Sequence, residues 1–123
     1  IMPLKGSFLT IQYDDRLEYS NNAAFHFSCE DWRTKLVEWK HFGLEFVVFQ
    51  SVHDNAFGGA FYNSSLHKPW GGKCLDVVDT VMSVANTIGI KIWLSPEFAN
   101  TSSDSITNPL LMEGRKDIMK ELF

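Results

Sequence analysis

Thr87-Ile88-Gly89-Ile90-Lys91-Ile92-Trp93-Leu94-Ser95-Pro96-Glu97 is the stretch that decides the fold. A helical pattern stops at a glycine, an apolar run follows at once, and the run ends on polar chemistry. Glycine suits the left-handed residue that closes a helix. The same phrase occurs earlier, where His41-Phe42-Gly43-Leu44 leads into an apolar run that stops at Gln50-Ser51-Val52-His53. A first run near the amino end stops at Gln12-Tyr13-Asp14-Asp15. Strands are therefore predicted over residues 7–12, 44–50 and 90–95.

The repeat of helix, glycine and strand argues for a parallel sheet, because parallel strands need crossover helices. The strands lack clean polar alternation, as expected when both faces are covered. Long excursions, 14–27 and 51–72, follow the first two strands, while the returns from helix to strand are minimal. Long loops on the carboxyl side mark the working face of α/β proteins. The predicted fold class is α/β: a partial TIM-type (β/α) barrel of about three βα units with a parallel sheet. Polar residues far apart in sequence should converge at the carboxyl ends of its strands.

The helices are well punctuated. Ser28 with Asp31 three residues later forms a capping-box pattern. Trp32, Leu36, Trp39 and Phe42 make one helical stripe. A second helix is predicted over 73–88, with Leu75, Val78, Met82 and Ala85 on its buried face and Gly89 at its end. The third starts at Asn108-Pro109, a cap followed by proline in the first helical position, and Leu111, Ile118, Met119 and Leu122 mark its apolar side. Gly114 weakens that helix by about 1 kcal/mol of propensity.

The chain has 123 residues, and a complete (β/α)₈ barrel takes about 250. Residues 1–123 are thus expected to be the amino-terminal portion of a barrel domain, incomplete alone. Its inner face, with Phe8, Val48 and Trp93, would then be covered by the remainder of the barrel or by a second copy.

The apolar fraction is 45% and the formal net charge is -4, values of a globular protein without a basic patch, so a nucleic-acid partner is not expected. No apolar run approaches the roughly 18 residues of a membrane helix, so no membrane partner is expected either. A cleaved signal peptide would leave no trace in the sequence, and a secreted or periplasmic location is favoured over others. Cys29 and Cys74 are both placed in first turns of helices whose axes should lie about 8–10 Å apart. That spacing favours two unpaired thiols over a bridge. Asn63-Ser64-Ser65 and Asn100-Thr101-Ser102 match the N-glycosylation acceptor pattern, which carries weight only in a eukaryotic secreted protein.

Gly6-Ser7-Phe8-Leu9 with Gln12, then Trp32 and Trp39-Lys40-His41-Phe42-Gly43, then Val47-Val48-Phe49-Gln50, carry a resemblance. Ala60-Phe61-Tyr62-Asn63-Ser64 and Gly89-Ile90-Lys91-Ile92 extend it over nearly the whole chain. The sequence resembles the opening of a bacterial barrel family known as a domain of unknown function and related to glycoside hydrolases. The resemblance implies a carbohydrate ligand and a barrel that continues into a fourth strand bearing an acidic residue.

Glycosidases work with two carboxyl groups flanking the scissile bond. Glu97, directly after the third strand, and Asp14, after the first, are the candidate catalytic pair, with Asp15 a candidate binding residue. Gln12 shares a strand face with Asp14. Gln50 ends the second strand, and His53 lies just above it. These three are candidate ligand-binding groups. Tyr13, Tyr62 and Trp70 are candidate sugar platforms, because they fall in the loops after the strands. No histidine pair has metal-ligand spacing, and Gly71-Gly72-Lys73 lacks the remainder of a phosphate loop. No cofactor and no metal are expected. The leading function is therefore a carbohydrate-active, glycoside hydrolase-like barrel. The alternative is a non-catalytic half-barrel that binds a glycan or a protein.

Overall fold

The computed structural model describes residues 5–9, 26–49, 51–54, 59–95, 98–99 and 109–123. In chain order the elements are β1 (Gly6–Leu9), α1 (Cys29–His41), β2 (Phe46–Phe49), β3 (His53–Asp54), α2 (Val77–Ile88), β4 (Lys91–Leu94), β5 (Phe98–Ala99) and α3 (Pro109–Leu122). The three longer strands form one sheet in the order β1-β2-β4, and both pairings are parallel. The parallel sense is the one the helix-glycine-strand repeat argues for, and the strands follow one another in chain order. Among the described residues the sheet is open, with β1 and β4 at its edges.

β3 and β5 form a second parallel pair. Phe49 faces Leu94, and four residues on along each chain His53 faces Phe98. The two pairs therefore keep one register. The second pair continues the β2–β4 ladder past a break, with Ser95 N–H donating to Phe49 C=O at its start.

Local chemistry explains the helix ends. The Ser28 hydroxyl accepts from Asp31 N–H at 3.1 Å and the Asp31 carboxylate accepts from Ser28 N–H at 2.9 Å, the reciprocal capping box read from the sequence. Gly43 (φ 94°) and Gly89 (φ 83°) sit in the left-handed region just past α1 and α2. A side chain there would cost roughly 1–2 kcal/mol.

α2 starts at Val77 rather than Lys73. Asp76 is the N-cap, its carboxylate accepting from Asp79 N–H at 2.8 Å, so residues 73–76 lie outside the helix. Val77, Val78, Val81 and Ala85 are buried, so Val78 and Ala85 face the core as expected, while Leu75 (59% exposed) and Met82 (41%) face solvent.

That shift also corrects the cysteines. Cys29 and Cys74 form a disulfide, with Cα atoms 4.8 Å apart. Two helices packed side by side would hold them too far apart. Cys74, lying in the irregular lead-in to α2, is free to approach the first turn of α1 within the range a bridge needs.

The core lies between the sheet and a layer that contains α1, α2 and part of α3. Val47 and Phe49 of β2 are buried on this side, and Trp32 of α1 packs against Phe49 with ring centroids 6.3 Å apart. Leu36, Val77, Val81, Ala85 and Ile118 complete this layer. Trp39, on the same stripe as buried Trp32 and Leu36, is only half-buried at the core's margin, and Phe42 at the end of the stripe is 79% exposed. Both stand near the carboxyl end of α1, where the chain turns away towards β2.

Candidate functional site

Because β1, β2 and β4 run parallel, their carboxyl ends share one edge of the sheet. Chain leaving that edge is where α/β proteins bind ligands. Gln12, Tyr13, Asp14, Asp15, Gln50 and Glu97 lie outside the described residues. The described part of this edge is Ser51–His53, Ser95 and the long segment 59–76 that returns to α2.

Ser51 and His53 are both buried (3% and 8% exposed). The Ser51 hydroxyl has no hydrogen-bond partner among the described residues. The His53 ring meets the His67 ring edge-on at 4.8 Å. His67 Nε2 in turn stands 3.9 Å from an Asp117 carboxylate oxygen on α3. A line of imidazole, imidazole and carboxylate thus runs from the end of the second strand to the third helix. His53 was legible as a residue above its strand. His67 and Asp117 were not, since they are brought together by the return loop and α3.

Segment 59–76 is packed, not splayed. Ala60 N–H donates to Lys68 C=O, Trp70 N–H donates to Ala60 C=O, and Phe61 N–H donates to Val52 C=O. Ala60, Phe61, Tyr62 and Trp70 are all buried. Trp70 indole N–H donates to Cys74 C=O at 2.9 Å, and its ring meets Phe61 edge-on at 4.8 Å. Gly72 lies directly under that indole, where a Cβ would overlap the ring. Trp70 and Tyr62 are therefore not sugar platforms in this arrangement. They are core residues, because burying their large apolar surfaces outweighs displaying them.

Glu121, near the end of α3, gathers four donors from this segment. Tyr62 hydroxyl (3.1 Å), Ser64 hydroxyl (2.5 Å), Ser65 N–H (2.7 Å) and Ser65 hydroxyl (3.1 Å) all reach its carboxylate. Desolvation raises the Glu121 pKa, but the combined hydrogen bonds from Ser64, Ser65 and Tyr62 outweigh it and hold the carboxyl below its usual value. Tyr62 is pushed up to about 12, first by desolvation and then by its bond to the Glu121 carboxylate and that group's charge, against an opposing bond to Ser64. The sequence signal for Glu121 was faint. Asp117 and Glu121, four apart, form an acidic ridge beside the apolar Ile118–Leu122 ridge.

A cavity of about 340 Å³ opens beside this clasp, lined by Tyr62, Asn63, Asp76, Asp79, Met82 and Glu121 among others. A larger concavity of about 560 Å³ follows the outer side of α1 past Glu30, Arg33, Val37, His41 and Phe42. Its lining residues are all exposed, and it belongs to a helix surface rather than to the strand ends. Among the described residues no group of three or more His, Cys, Asp or Glu side chains could hold a metal ion. No helix among them is long and apolar enough to cross a membrane.

Compared with known protein families, with curated proteins and with solved structures, the chain finds no match. The class it can be assigned is structural: an α/β protein with three helices and an open three-stranded parallel sheet.

Proposed function

We propose that this chain supplies consecutive βα units of a (β/α) barrel, and that it acts on a glycan at the carboxyl ends of their strands. The observation that carries the reading is the parallel order β1-β2-β4, which gives three strands one common carboxyl edge. The segments leaving that edge begin at Thr10, Gln50 and Ser95 and carry Asp14, Gln50 and Glu97 within a few residues. In this proposal Glu97 and Asp14 are the two carboxyl groups of a glycosidase pair, one acting as acid and the other as base or nucleophile. Gln12, Tyr13, Asp15, Gln50 and His53 orient the sugar by hydrogen bonds. Tyr62 and Trp70 drop out as contacts and support the loop from beneath.

The test uses the full-length protein. A panel of chromogenic glycosides should give turnover, and Glu97→Gln should lower it by about 10²–10⁴-fold, the usual contribution of a general acid or base. Glycan binding without hydrolysis by the wild-type protein would instead establish the non-catalytic binding module. Neither binding nor turnover across a broad glycan panel would overturn the carbohydrate reading.

A further inference from the structure

We propose that Asn63 is an acceptor for an N-linked glycan. The inference is independent of the ligand proposed above. Asn63-Ser64-Ser65 has the acceptor spacing, with a residue other than proline in the middle. Such a triplet means little by its pattern alone, and two structural observations give it weight.

The first is placement. Asn63 is exposed, on an irregular segment between buried Tyr62 and the Glu121 clasp. Its backbone is held, N–H donating to the Asp76 carboxylate at 3.0 Å, while its side-chain amide makes no hydrogen bond to the described residues. The amide is presented outward from a fixed loop. Asn63 lines the cavity of about 340 Å³ together with Met82, an apolar side chain 41% exposed. The second observation is compartment. The Cys29–Cys74 disulfide suits an oxidising compartment, and the eukaryotic secretory lumen, where N-linked glycans are added, is one such compartment.

The chemistry is a transfer from an oligosaccharide carried on a lipid diphosphate. The Asn63 amide nitrogen forms a bond to the anomeric carbon, and the bond from that carbon to the diphosphate oxygen breaks. The lipid diphosphate leaves with the electron pair, and the amide nitrogen gives up one proton. The Ser65 hydroxyl completes the acceptor while the chain is still unfolded. In the folded protein it turns to donate to Glu121 at 3.1 Å.

The full-length protein is secreted from a eukaryotic cell, and its intact mass is read before and after an N-glycan amidase. The expected result is a glycan released by the amidase and mapped to position 63 by peptide mass. It should be lost in Asn63→Gln, lost in Ser65→Ala and retained in Ser65→Thr. Asn63→Gln removes no side-chain hydrogen bond of the described structure, so that variant should be secreted at the wild-type level and with no free thiols. A wild-type protein secreted without a glycan overturns the proposal. So does a released glycan that persists unchanged in Asn63→Gln, which would assign it to Asn100.

Discussion

The two faces of one sheet behave as different materials. On the side of the helices, Val47 and Phe49 are buried to 1% and 0% exposure under Trp32 and the α2 ridge. On the other side Phe46 and Val48, their neighbours in the same strand, are only half-buried, and Trp93 of β4 is 53% exposed. Alternation along a strand sends successive side chains to opposite faces, so both sets are dictated by one four-residue run. The open face partly covers itself. The Phe46 ring lies over Gly6 of β1 and stacks against Trp93 with centroids 4.8 Å apart at 19°. One face is held by a helical layer, and the other by three residues shielding one another. Equal hydrophobicity in the sequence thus yields unequal burial, and unequal energy.

The sharpest test of that contrast is Phe49→Ala. We expect it to lower unfolding free energy by about 3–5 kcal/mol, as for other buried aromatics, in denaturant titration. A loss below about 1 kcal/mol would mean that the helical layer relaxes as freely as the open face. The disulfide comes next. Cys29→Ser with Cys74→Ser should cost about 2–4 kcal/mol, because the bridge closes a long loop that contains α1 and β2. An unchanged denaturation midpoint would show that the helical layer holds segment 59–76 without it.

Glu121→Ala should cost about 1.5–3 kcal/mol, the worth of hydrogen bonds to a charged group, by freeing α3 from residues 62–65. Thermal melts that match the wild type would remove α3 from the cooperative unit. The clasp also has two pH limits. Glu121 has its folded-state pKa depressed, so its contribution is present above the unfolded carboxyl value of 4.5 and is lost as pH falls through the lower folded value. Tyr62 has its folded-state pKa raised, so its contribution is full below 10.0 and is lost as pH rises from there through about 12. Tyr62→Phe should flatten the alkaline limb of a stability-pH profile and leave the acid limb in place. A profile with both limbs unchanged would assign the alkaline loss to other groups. The smallest effect belongs to the open face. Trp93→Ala should cost about 1–2 kcal/mol, since Trp93 is already 53% exposed and only its covered part, stacked on Phe46, is lost. A loss as large as that of Phe49→Ala would mean that the open face is covered in solution.

Much of the framework was legible because it rests on local rules. Ser28 and Asp31 announce a helix start, Gly43 and Gly89 announce helix ends, and the apolar runs after them are strands. What failed to read was whatever depended on a neighbour far along the chain. Val77, capped by Asp76, starts α2 instead of Lys73, which leaves Leu75 outside the helix and frees Cys74 to reach Cys29, while packing of the Val77–Val81–Ala85 ridge leaves Met82 in solvent. Trp70 and Tyr62 looked like loop aromatics, and their sequence positions are indeed in a loop. Nothing local indicated that the loop folds inward over Phe61, Gly72 and the disulfide. Glu121 and His67 likewise gain their partners only when α3 meets residues 62–67.

The sequence alone determined the α/β class and the parallel sense, because periodicity, caps and glycine-ended helices act over a few residues and parallel strands need crossover helices. Only the tertiary structure decided which face of each strand is covered, which aromatic is core, and which carboxylate is clasped. Those outcomes depend on surfaces contributed by segments tens of residues apart, whose meeting is set by packing rather than by any pattern within either segment.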